Sequence, residues 1–386
     1  MEIDNSYIVA LRRELHENPE LGFELPRTVA IVKRELDKIG IPYTEKYGRS
    51  SIVAEINSEK LFTIALRADM DALPIKEETG LEFASKIEGQ MHACGHDAHT
   101  AILIATIKEL YDMRDEIDCC VRFIFQPSEE CPESGAKMMI ENGVMDGVDV
   151  IVGLHVGGCE SGEIGVHAGP FMAASRPFKI EFFGRSTHAA TPHQGHDALA
   201  AAVRAYTWIK MMMSTELSAL ERYVCSIGKL NSGTAQNIIP GYAEMMGTIR
   251  TFNLDIDKFI IDRIYGIAES IEREMQVECK ITTHLKSPVV YNDPHVASLV
   301  RSAAEKVVGR EKTVEVEVRL GAEDFAFYGE HAPAMFLRLG AHDEARGFNS
   351  NAHNSNFSID EDVLHLGAET FVQFVLDNMD GKNFKK

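Results

Sequence analysis

The segment Met91–His99 concentrates side chains that bind metal ions. It reads Met-His-Ala-Cys-Gly-His-Asp-Ala-His, so one thiol and three imidazoles lie within eight positions. Cys94 and His96 are two residues apart, and in an extended segment both side chains would point the same way. A thiolate with an imidazole suits zinc and also admits manganese, iron, cobalt or nickel. A buried cysteine beside a structural histidine explains this pair alone equally well, and we expect His92 and His99 to support the site rather than to bind metal.

Two adjacent carboxylates, Glu129 and Glu130, follow an apolar run at Cys120–Phe125. Pro127 interrupts strand pairing, so neighbouring side chains need not point to opposite faces. One carboxylate can then bind metal while the other acts as general base for a metal-activated water. Two solvated acids at the start of a helix would account for this pair by itself.

Two further segments carry candidate ligands, and a third carries acids. His155 ends an apolar run, where a lone histidine is more often structural, and His353 lies in a polar loop before the last helix. Asp69 and Asp71 alternate after another apolar run, where they could bind metal or orient ligating imidazoles. Each motif is weak alone, but the five motifs together indicate a metal site.

Strands that alternate with helices must position these residues. The candidate acids and His155 come at or just after the ends of apolar runs, and ligands bind outside the carboxyl ends of the strands in an open α/β sheet. We therefore expect an α/β fold with a largely parallel sheet, buried on both faces. The predicted strands are Ser51–Ile56, Leu61–Arg67, Cys120–Phe125, Val148–His155 and Ala334–Leu339, and the predicted helices are residues 7–18, 26–39, Ala98–Tyr111, Glu133–Asn142, 294–307 and 361–378.

The pattern changes between residues 177 and 288. Runs in the order β-α-β-β-α-β are typical of a ferredoxin-like sandwich. We therefore predict a discontinuous domain, residues 1–176 and 289–386, that carries the site, and an inserted domain, residues 177–288. The predicted strands of the insert are Pro177–Phe183, Tyr223–Leu230, Ala243–Phe252 and Val277–His284, and its predicted helices are Asp197–Met213 and Asp255–Glu274.

Composition argues against several classes of function. The net charge of −20 at pH 7 disfavours nucleic acid and anionic membranes as partners, because phosphate-binding surfaces need clustered lysine and arginine. No run approaches the roughly 18 apolar residues of a membrane span, and the first 20 residues lack a signal-peptide core. Seven cysteines without regular spacing predict a reduced, cytoplasmic protein.

The motif order resembles the aminoacylase and hippurate hydrolase branch of the dinuclear-metal amidohydrolase and carboxypeptidase family, peptidase family M20. Its relatives include indoleacetyl-amino-acid hydrolases and N-acetyldiaminopimelate deacetylases. The resemblance covers essentially the whole chain. It implies a zinc-exopeptidase-like catalytic domain with an inserted ferredoxin-like dimerisation domain that closes as a lid, and hence a homodimer. The motifs are, in order, Arg-Ala-Asp-Met-Asp-Ala-Leu-Pro, His-Ala-Cys-Gly-His-Asp, Gln-Pro-Ser-Glu-Glu, Gly-Leu-His and Ala-His-Asn.

Carried over by position, the resemblance implies two divalent metal ions, zinc or manganese, with nickel and cobalt as further options. Glu129 would be the general base, and Asp71 would orient a ligand. Asp69 stands where many members of the wider family have histidine. The aminoacylase branch shares this aspartate, so its first metal site must be completed differently, and the resemblance leaves the role of Asp69 open. The implied metal ligands, with Cys94 as the bridge, are Cys94, His96, Glu130, His155 and His353.

The inserted domain would complete the substrate site. By resemblance, His188 reaches the active site of the partner subunit and stabilises an oxyanion. Asn237 and Arg250 would hold the substrate carboxylate, for which an arginine fork is suited, although a surface charge on an edge strand explains Arg250 equally well. Residues 156–172 lack the Trp-Pro that many relatives carry after the ligand histidine, so the substrate of any one relative does not transfer directly.

The implied activity is metal-dependent hydrolysis of N-acyl-L-amino acids to a carboxylate and a free amino acid. Deacetylation of N-acetyldiaminopimelate and hydrolysis of small peptides are alternatives. A thiol hydrolase with Cys94 as nucleophile would leave Glu129, Glu130, His155 and His353 without a role. A homologue that only binds a ligand is a further alternative, against which the intact motifs count.

Overall fold

The computed structural model describes residues 3–348 and 351–384, which form two compact units. The large unit comprises Met1–Phe171, Val290–Val318 and Asp324–Lys386, and the inserted unit comprises Met172–Val289 and Arg319–Glu323. The first boundary lies five residues before the predicted one, because the first strand of the inserted unit already begins at Ala174. None of the seven cysteines, all of which lie in the described part of the chain, takes part in a disulfide.

Helices and runs of strands are interspersed along the chain. The α-helices are α1 (Asn5–His16), α2 (Pro26–Ile39), α3 (His96–Asp112), α4 (Gly135–Glu141), α5 (Ala198–Thr215), α6 (Leu254–Met275), α7 (Pro294–Val308) and α8 (Leu364–Asn378). The strands are β1 (Tyr43–Thr44), β2 (Ile52–Ile56), β3 (Thr63–Asp69), β4 (Cys120–Gln126), β5 (Val150–Val156), β6 (Ile164–Val166), β7 (Gly169–Met172), β8 (Ala174–Phe183), β9 (Thr187–His188), β10 (Tyr223–Ser232), β11 (Ile238–Ile239), β12 (Tyr242–Thr251), β13 (Glu278–Thr283), β14 (Val290–Asn292), β15 (Thr313–Glu315) and β16 (Ala334–Leu339).

The large unit is built on an eight-stranded sheet in the order β1-β2-β4-β3-β5-β16-β6-β15. The central strands β4, β3, β5 and β16 are parallel, whereas β1 and β2 are antiparallel additions at one edge. Every residue of β3 and β5 is buried, as expected for strands covered by helices on both faces. The ends of β3, β4 and β5 are therefore neighbours, and these ends carry the candidate acids and His155.

The inserted unit contains a four-stranded antiparallel sheet in the order β10-β12-β8-β13. With α5 and α6, the chain order is β-α-β-β-α-β, so the predicted ferredoxin-like topology is confirmed. Phe178, Ile180 and Phe182 alternate along β8 and pack with the apolar faces of the two helices. Burial of one sheet face gives this unit a core of its own.

Some element ends differ from the predicted ones. β3 extends through Asp69, and β5 ends at Val156, one residue after His155. The last helix begins at Leu364, because residues 361–363 form a short 3₁₀ turn. None of the helices among residues 3–348 and 351–384 combines the length and the apolar character that crossing a membrane requires.

Candidate metal centre

A glycine turn brings Cys94 and His96 together. Gly95 precedes α3 with φ 87°, in the left-handed region, and a Cβ at this position would lie 2.2 Å from Cγ2 of Val156. The expectation of an extended segment is therefore wrong, since a turn that only glycine fits presents the two side chains. The Sγ atom of Cys94 lies 3.3 Å from Nε2 of His155, and both residues are buried.

The two adjacent carboxylates are anchored through their backbone. Ser128 has φ 56°, and the N–H groups of Glu129 and Glu130 donate to the two carboxylate oxygens of Asp71 at 3.0 and 3.1 Å. Glu129 is 8% exposed, and α4 begins only at Gly135. The acids are therefore not two solvated residues at a helix start.

Two groups of ligand atoms share the Cys94 sulfur. Cys94, His96 and His155 form one group, and Cys94, Glu130 and His353 form the other, with the ligand atoms of each within 4.8 Å of one another. Nε2 of His353 lies 3.0 Å from Oε1 of Glu130. Both ring nitrogens of the buried His96 have no hydrogen-bond partner among the residues that the structure describes. Sulfur, nitrogen and carboxylate donors around one shared sulfur fit two borderline divalent cations.

Protonation states agree with ligand roles. Burial, followed by the nearby Glu130 carboxylate, raises the pKa of the Cys94 thiol to about 12, so the thiol keeps its proton unless a cation replaces it. Burial and then Arg338 hold the pKa of His155 well below its usual range. The neutral ring donates from Nδ1 to the Val156 carbonyl at 2.7 Å, which leaves the Nε2 lone pair directed toward Cys94.

Asp69 and His99 lie beside His96 and form a further group of possible ligand atoms with it, but both side chains also make hydrogen bonds within the protein. Nδ1 of His99 donates to Oδ1 of Asp69 at 2.6 Å, and Nε2 accepts from the Val156 N–H at 2.9 Å. Arg67 donates to Oδ2 of Asp69 at 2.6 Å. Both nitrogens of His99 and both oxygens of Asp69 are therefore occupied by hydrogen bonds.

His92 is also buried, and neither of its ring nitrogens has a hydrogen-bond partner in the described part of the chain. Burial lowers the pKa of His92 to about 3, and its ring centroid lies 6.3 Å from that of His16. It belongs to none of the groups of possible ligands among the described residues. The ring therefore lies beside the candidate centre as a neutral group.

A buried polar network behind the site was not predicted. Asp324 accepts hydrogen bonds from Arg67 at 3.1 Å and from Gln126 at 2.8 and 3.0 Å, and its N–H donates to Oε1 of Glu129 at 3.4 Å. Tyr328 donates to the Gln126 amide oxygen. Two features of the sequence could have indicated this network: Arg67 lies within the apolar run before Asp69, and Gln126 ends β4. Nothing in the sequence pairs either of them with Asp324.

The three predicted residues of the inserted unit lie in β9, just before β11, and in β12. His188 in β9 pairs with Ile238 of β11, and the backbone carbonyl of Asn237 accepts from the Ala189 N–H at 3.0 Å. Both His188 and Asn237 are exposed. Arg250, half-buried on β12, donates to the Thr248 hydroxyl and the Ile249 carbonyl. Among the described residues, no hydrogen bond joins Arg250 to His188 or Asn237.

Comparison with known proteins agrees with this arrangement. Residues 65–377 match Peptidase family M20/M25/M40. The chain is 38% identical to thermostable carboxypeptidase 2 of Saccharolobus solfataricus, over 94% of this chain and 93% of that protein. It is 36% identical to N-acetylcysteine deacetylase of Bacillus subtilis, over 96% of each chain. The crystal structure of Bacillus subtilis YXEP protein, a dinuclear metal binding peptidase from the M20 family, has a TM-score of 0.83 with 34% identity, covering 97% of this chain and 98% of that chain.

Proposed function

Since this chain belongs to peptidase family M20/M25/M40 and is a metal-dependent amide hydrolase, we propose that it cleaves N-acyl-L-amino acids to a carboxylate and a free amino acid. The observation that carries the proposal is the Cys94 sulfur shared by two groups of ligand atoms, with the buried Glu129 beside them. The chain resembles a deacetylase of an N-acylated amino acid over nearly its whole length.

Two divalent ions, zinc or manganese, would polarise the amide carbonyl and lower the pKa of a water molecule toward about 7. The residues that would hold them are Cys94, His96, Glu130, His155 and His353. Asp71 fixes the backbone of Glu129 and Glu130 by accepting hydrogen bonds from both of their N–H groups. Its Oδ1 also lies 3.5 Å from Nδ1 of His96, close enough for the carboxylate to orient that ring once His96 binds a metal ion.

Glu129 is the proposed general base. Its carboxylate takes a proton from the attacking water and delivers the proton to the leaving amine nitrogen, so one group serves both halves of the reaction. The Asp324 N–H contacts Oε1 of Glu129 and limits rotation of the carboxylate. Burial excludes bulk water from this exchange.

We further propose that Arg250 and Asn237 bind the α-carboxylate of the substrate. Supporting this, the guanidinium of the half-buried Arg250 donates to two neutral groups, the Thr248 hydroxyl and the Ile249 carbonyl, so its charge can pair with a substrate carboxylate. His188, supplied by a second copy of this chain in a homodimer, would donate to the oxyanion. A reducing compartment such as the cytoplasm suits a protein that needs Cys94 as a free thiol.

The test is hydrolysis of N-acetyl- and N-benzoyl-amino acids by chelator-treated protein with zinc or manganese restored. Glu129→Gln should lower kcat by roughly 10²–10⁴-fold, the range for loss of a general base, while metal content stays unchanged. Glu133→Gln changes an exposed acid four residues away and is the matched control. Near-normal turnover in Glu129→Gln would contradict the base assignment.

Hydrolysis of small peptides is a second candidate, favoured by the similarity to a carboxypeptidase. Dipeptides and N-acetyldiaminopimelate therefore belong in the same panel. A catalytic thiol needs a lowered pKa, whereas burial raises that of Cys94. Turnover that resists chelators but is lost on alkylation would revive the thiol mechanism, and a full metal complement without turnover on the panel would indicate a ligand-binding protein.

A further inference from the structure

The central sheet opens at the candidate metal centre. β3 pairs with β5 only as far as Arg67 opposite Gly153. The N–H groups of Ile151 and Gly157 donate to the β16 side of β5. Because N–H directions alternate along a strand, the Val156 N–H points to the β3 side, beyond the last β3 partner. The sheet therefore leaves one buried donor at this end without a strand acceptor.

His99 supplies the missing acceptor. Its Nε2 accepts from the Val156 N–H at 2.9 Å, and its Nδ1 donates to the carboxylate of Asp69, the last residue of β3, at 2.6 Å. A carboxylate can only accept and a backbone N–H can only donate, so the tautomer of His99 is determined. Asp69 and His99 thus continue the β3–β5 ladder with side chains, and we call this pair the Asp69–His99 bridge.

The bridge ends on the residue that orients His155. The Val156 carbonyl accepts from Nδ1 of His155 at 2.7 Å, and the rings of His99 and His155 have centroids 4.6 Å apart. A shift of Val156 would therefore turn the His155 ring away from Cys94. We propose that His99 is a positioning residue that holds His155 in the orientation needed to bind metal. This inference rests on the proposed function.

Two variants separate the two bonds of His99. His99→Gln places an amide oxygen near the position of Nε2 and can still accept from Val156. His99→Asn reaches only the position of Nδ1 and loses that bond. Cobalt titration of the chelator-treated full chain, followed by thiolate–cobalt absorbance, should show affinity 10–100-fold weaker for His99→Asn, the usual effect of losing a group behind a metal ligand. His99→Gln should stay within a few-fold of the wild type.

Thr100→Val is the matched control. Thr100 is equally buried on α3, and its hydroxyl donates to the backbone carbonyl of Asp69 at 3.0 Å, so the variant removes an α3–β3 bond without touching β5. It should keep wild-type cobalt affinity even if thermal unfolding of the metal-free protein occurs at lower temperature. Unchanged affinity in folded His99→Asn, or equal weakening in Thr100→Val, would overturn the positioning role alone. A wild-type chain that binds no cobalt would instead overturn the proposed metal site, and the positioning role with it.

Discussion

At the scale of the residue, a glycine that has no room for a side chain shapes the candidate centre. Gly95 combines a left-handed φ with a distance of 2.2 Å between the position of its absent Cβ and Cγ2 of Val156. Cys94 and His96 owe their convergence to this close approach of the chain to β5. The backbone conformation of Gly95 and its close approach to Val156 therefore determine where the Cys94 sulfur and the His96 imidazole lie.

Gly95→Ala should weaken metal binding as well as stability. The left-handed conformation costs about 1–2 kcal/mol for a residue with a Cβ, and the clash with Val156 adds to this by displacing β5 or α3. Gly40→Ala is the control, because Gly40 has φ 83° with nothing within 4 Å of the added Cβ. We expect Gly95→Ala to unfold at lower denaturant and to bind cobalt more weakly than Gly40→Ala. Equal behaviour of the two variants would show that the contact with Val156 is unimportant.

At the scale of the element, a buried ion cluster ties α1 to α3. The Arg12 guanidinium and the His16 imidazole lie 2.8 and 2.7 Å from Oδ2 of Asp97, all almost fully buried. Asp97 follows His96 in the first turn of α3, so the cluster fastens the helix end that carries a candidate ligand. Burial alone would raise the pKa of Asp97, but Arg12 and His16 hold it well below the usual value.

Asp97→Asn should destabilise the large unit in a pH-dependent way. Removing one partner of a buried pair costs about 3–5 kcal/mol, which urea unfolding at pH 7 would detect. The pKa of Asp97 is depressed in the folded state, so its contribution is present above the unfolded value of 3.8 and is lost as pH falls below it. The difference between the wild type and the variant should therefore shrink in acid.

Asp118→Asn is the control for that prediction. Asp118 pairs with Lys60 at 2.7 Å, but the side chains are 70% and 39% exposed, and such surface pairs contribute little. A loss in Asp97→Asn that matches this control, or that does not depend on pH, would contradict a stabilising role for the cluster.

At the scale of the whole molecule, the inserted unit carries a face suited to a second copy. Leu199, Val203 and Tyr206 follow one another at helical spacing on α5 and are 38%, 50% and 39% exposed. An apolar stripe of this kind can pair with itself across a two-fold axis. In such a homodimer, His188 of one copy would serve the centre of the other.

Mixing two inactive variants should restore activity if the site is shared. Glu129→Gln lacks the proposed base, and His188→Ala lacks the proposed oxyanion donor. In a mixed dimer, one site combines the intact Glu129 of one copy with the intact His188 of the other. Turnover of N-acetyl-amino acids should therefore recover after the two proteins are unfolded together and refolded, and absence of recovery in a mixture shown to contain mixed dimers would contradict sharing.

Light scattering tests the stripe itself. The wild type should have twice the chain mass of 42.9 kDa, and Val203→Glu should have the mass of a single chain, because a carboxylate would be buried without a partner in the dimer. Leu220→Glu is the control, since Leu220 is 95% exposed in the same unit and lies outside α5. Equal masses for wild type and Val203→Glu would exclude this face as the interface.

The sequence by itself determined the family, the class of chemistry and most of the fold. Local periodicity predicted most of the longer helices and strands and the ferredoxin-like insert, because buried faces impose their spacing on the chain. Short strands such as β6 and β15 have too few residues to show a period. The predicted ligands, base and substrate-binding residues stay predictions that the experiments above address.

Only the tertiary structure decided how the polar residues divide their roles. His92, His96 and His99 look alike in sequence, but their surroundings differ. Neither His92 nor His96 has a hydrogen-bond partner for its ring nitrogens among the described residues, yet only His96 lies in a group of possible ligand atoms with Cys94 and His155. His99 instead makes hydrogen bonds with Asp69 and with the Val156 N–H. Asp324 joins Arg67 across 257 positions of the chain. Such roles depend on which donors and acceptors form hydrogen bonds after the chain packs. The order of residues along the chain does not show these pairings directly.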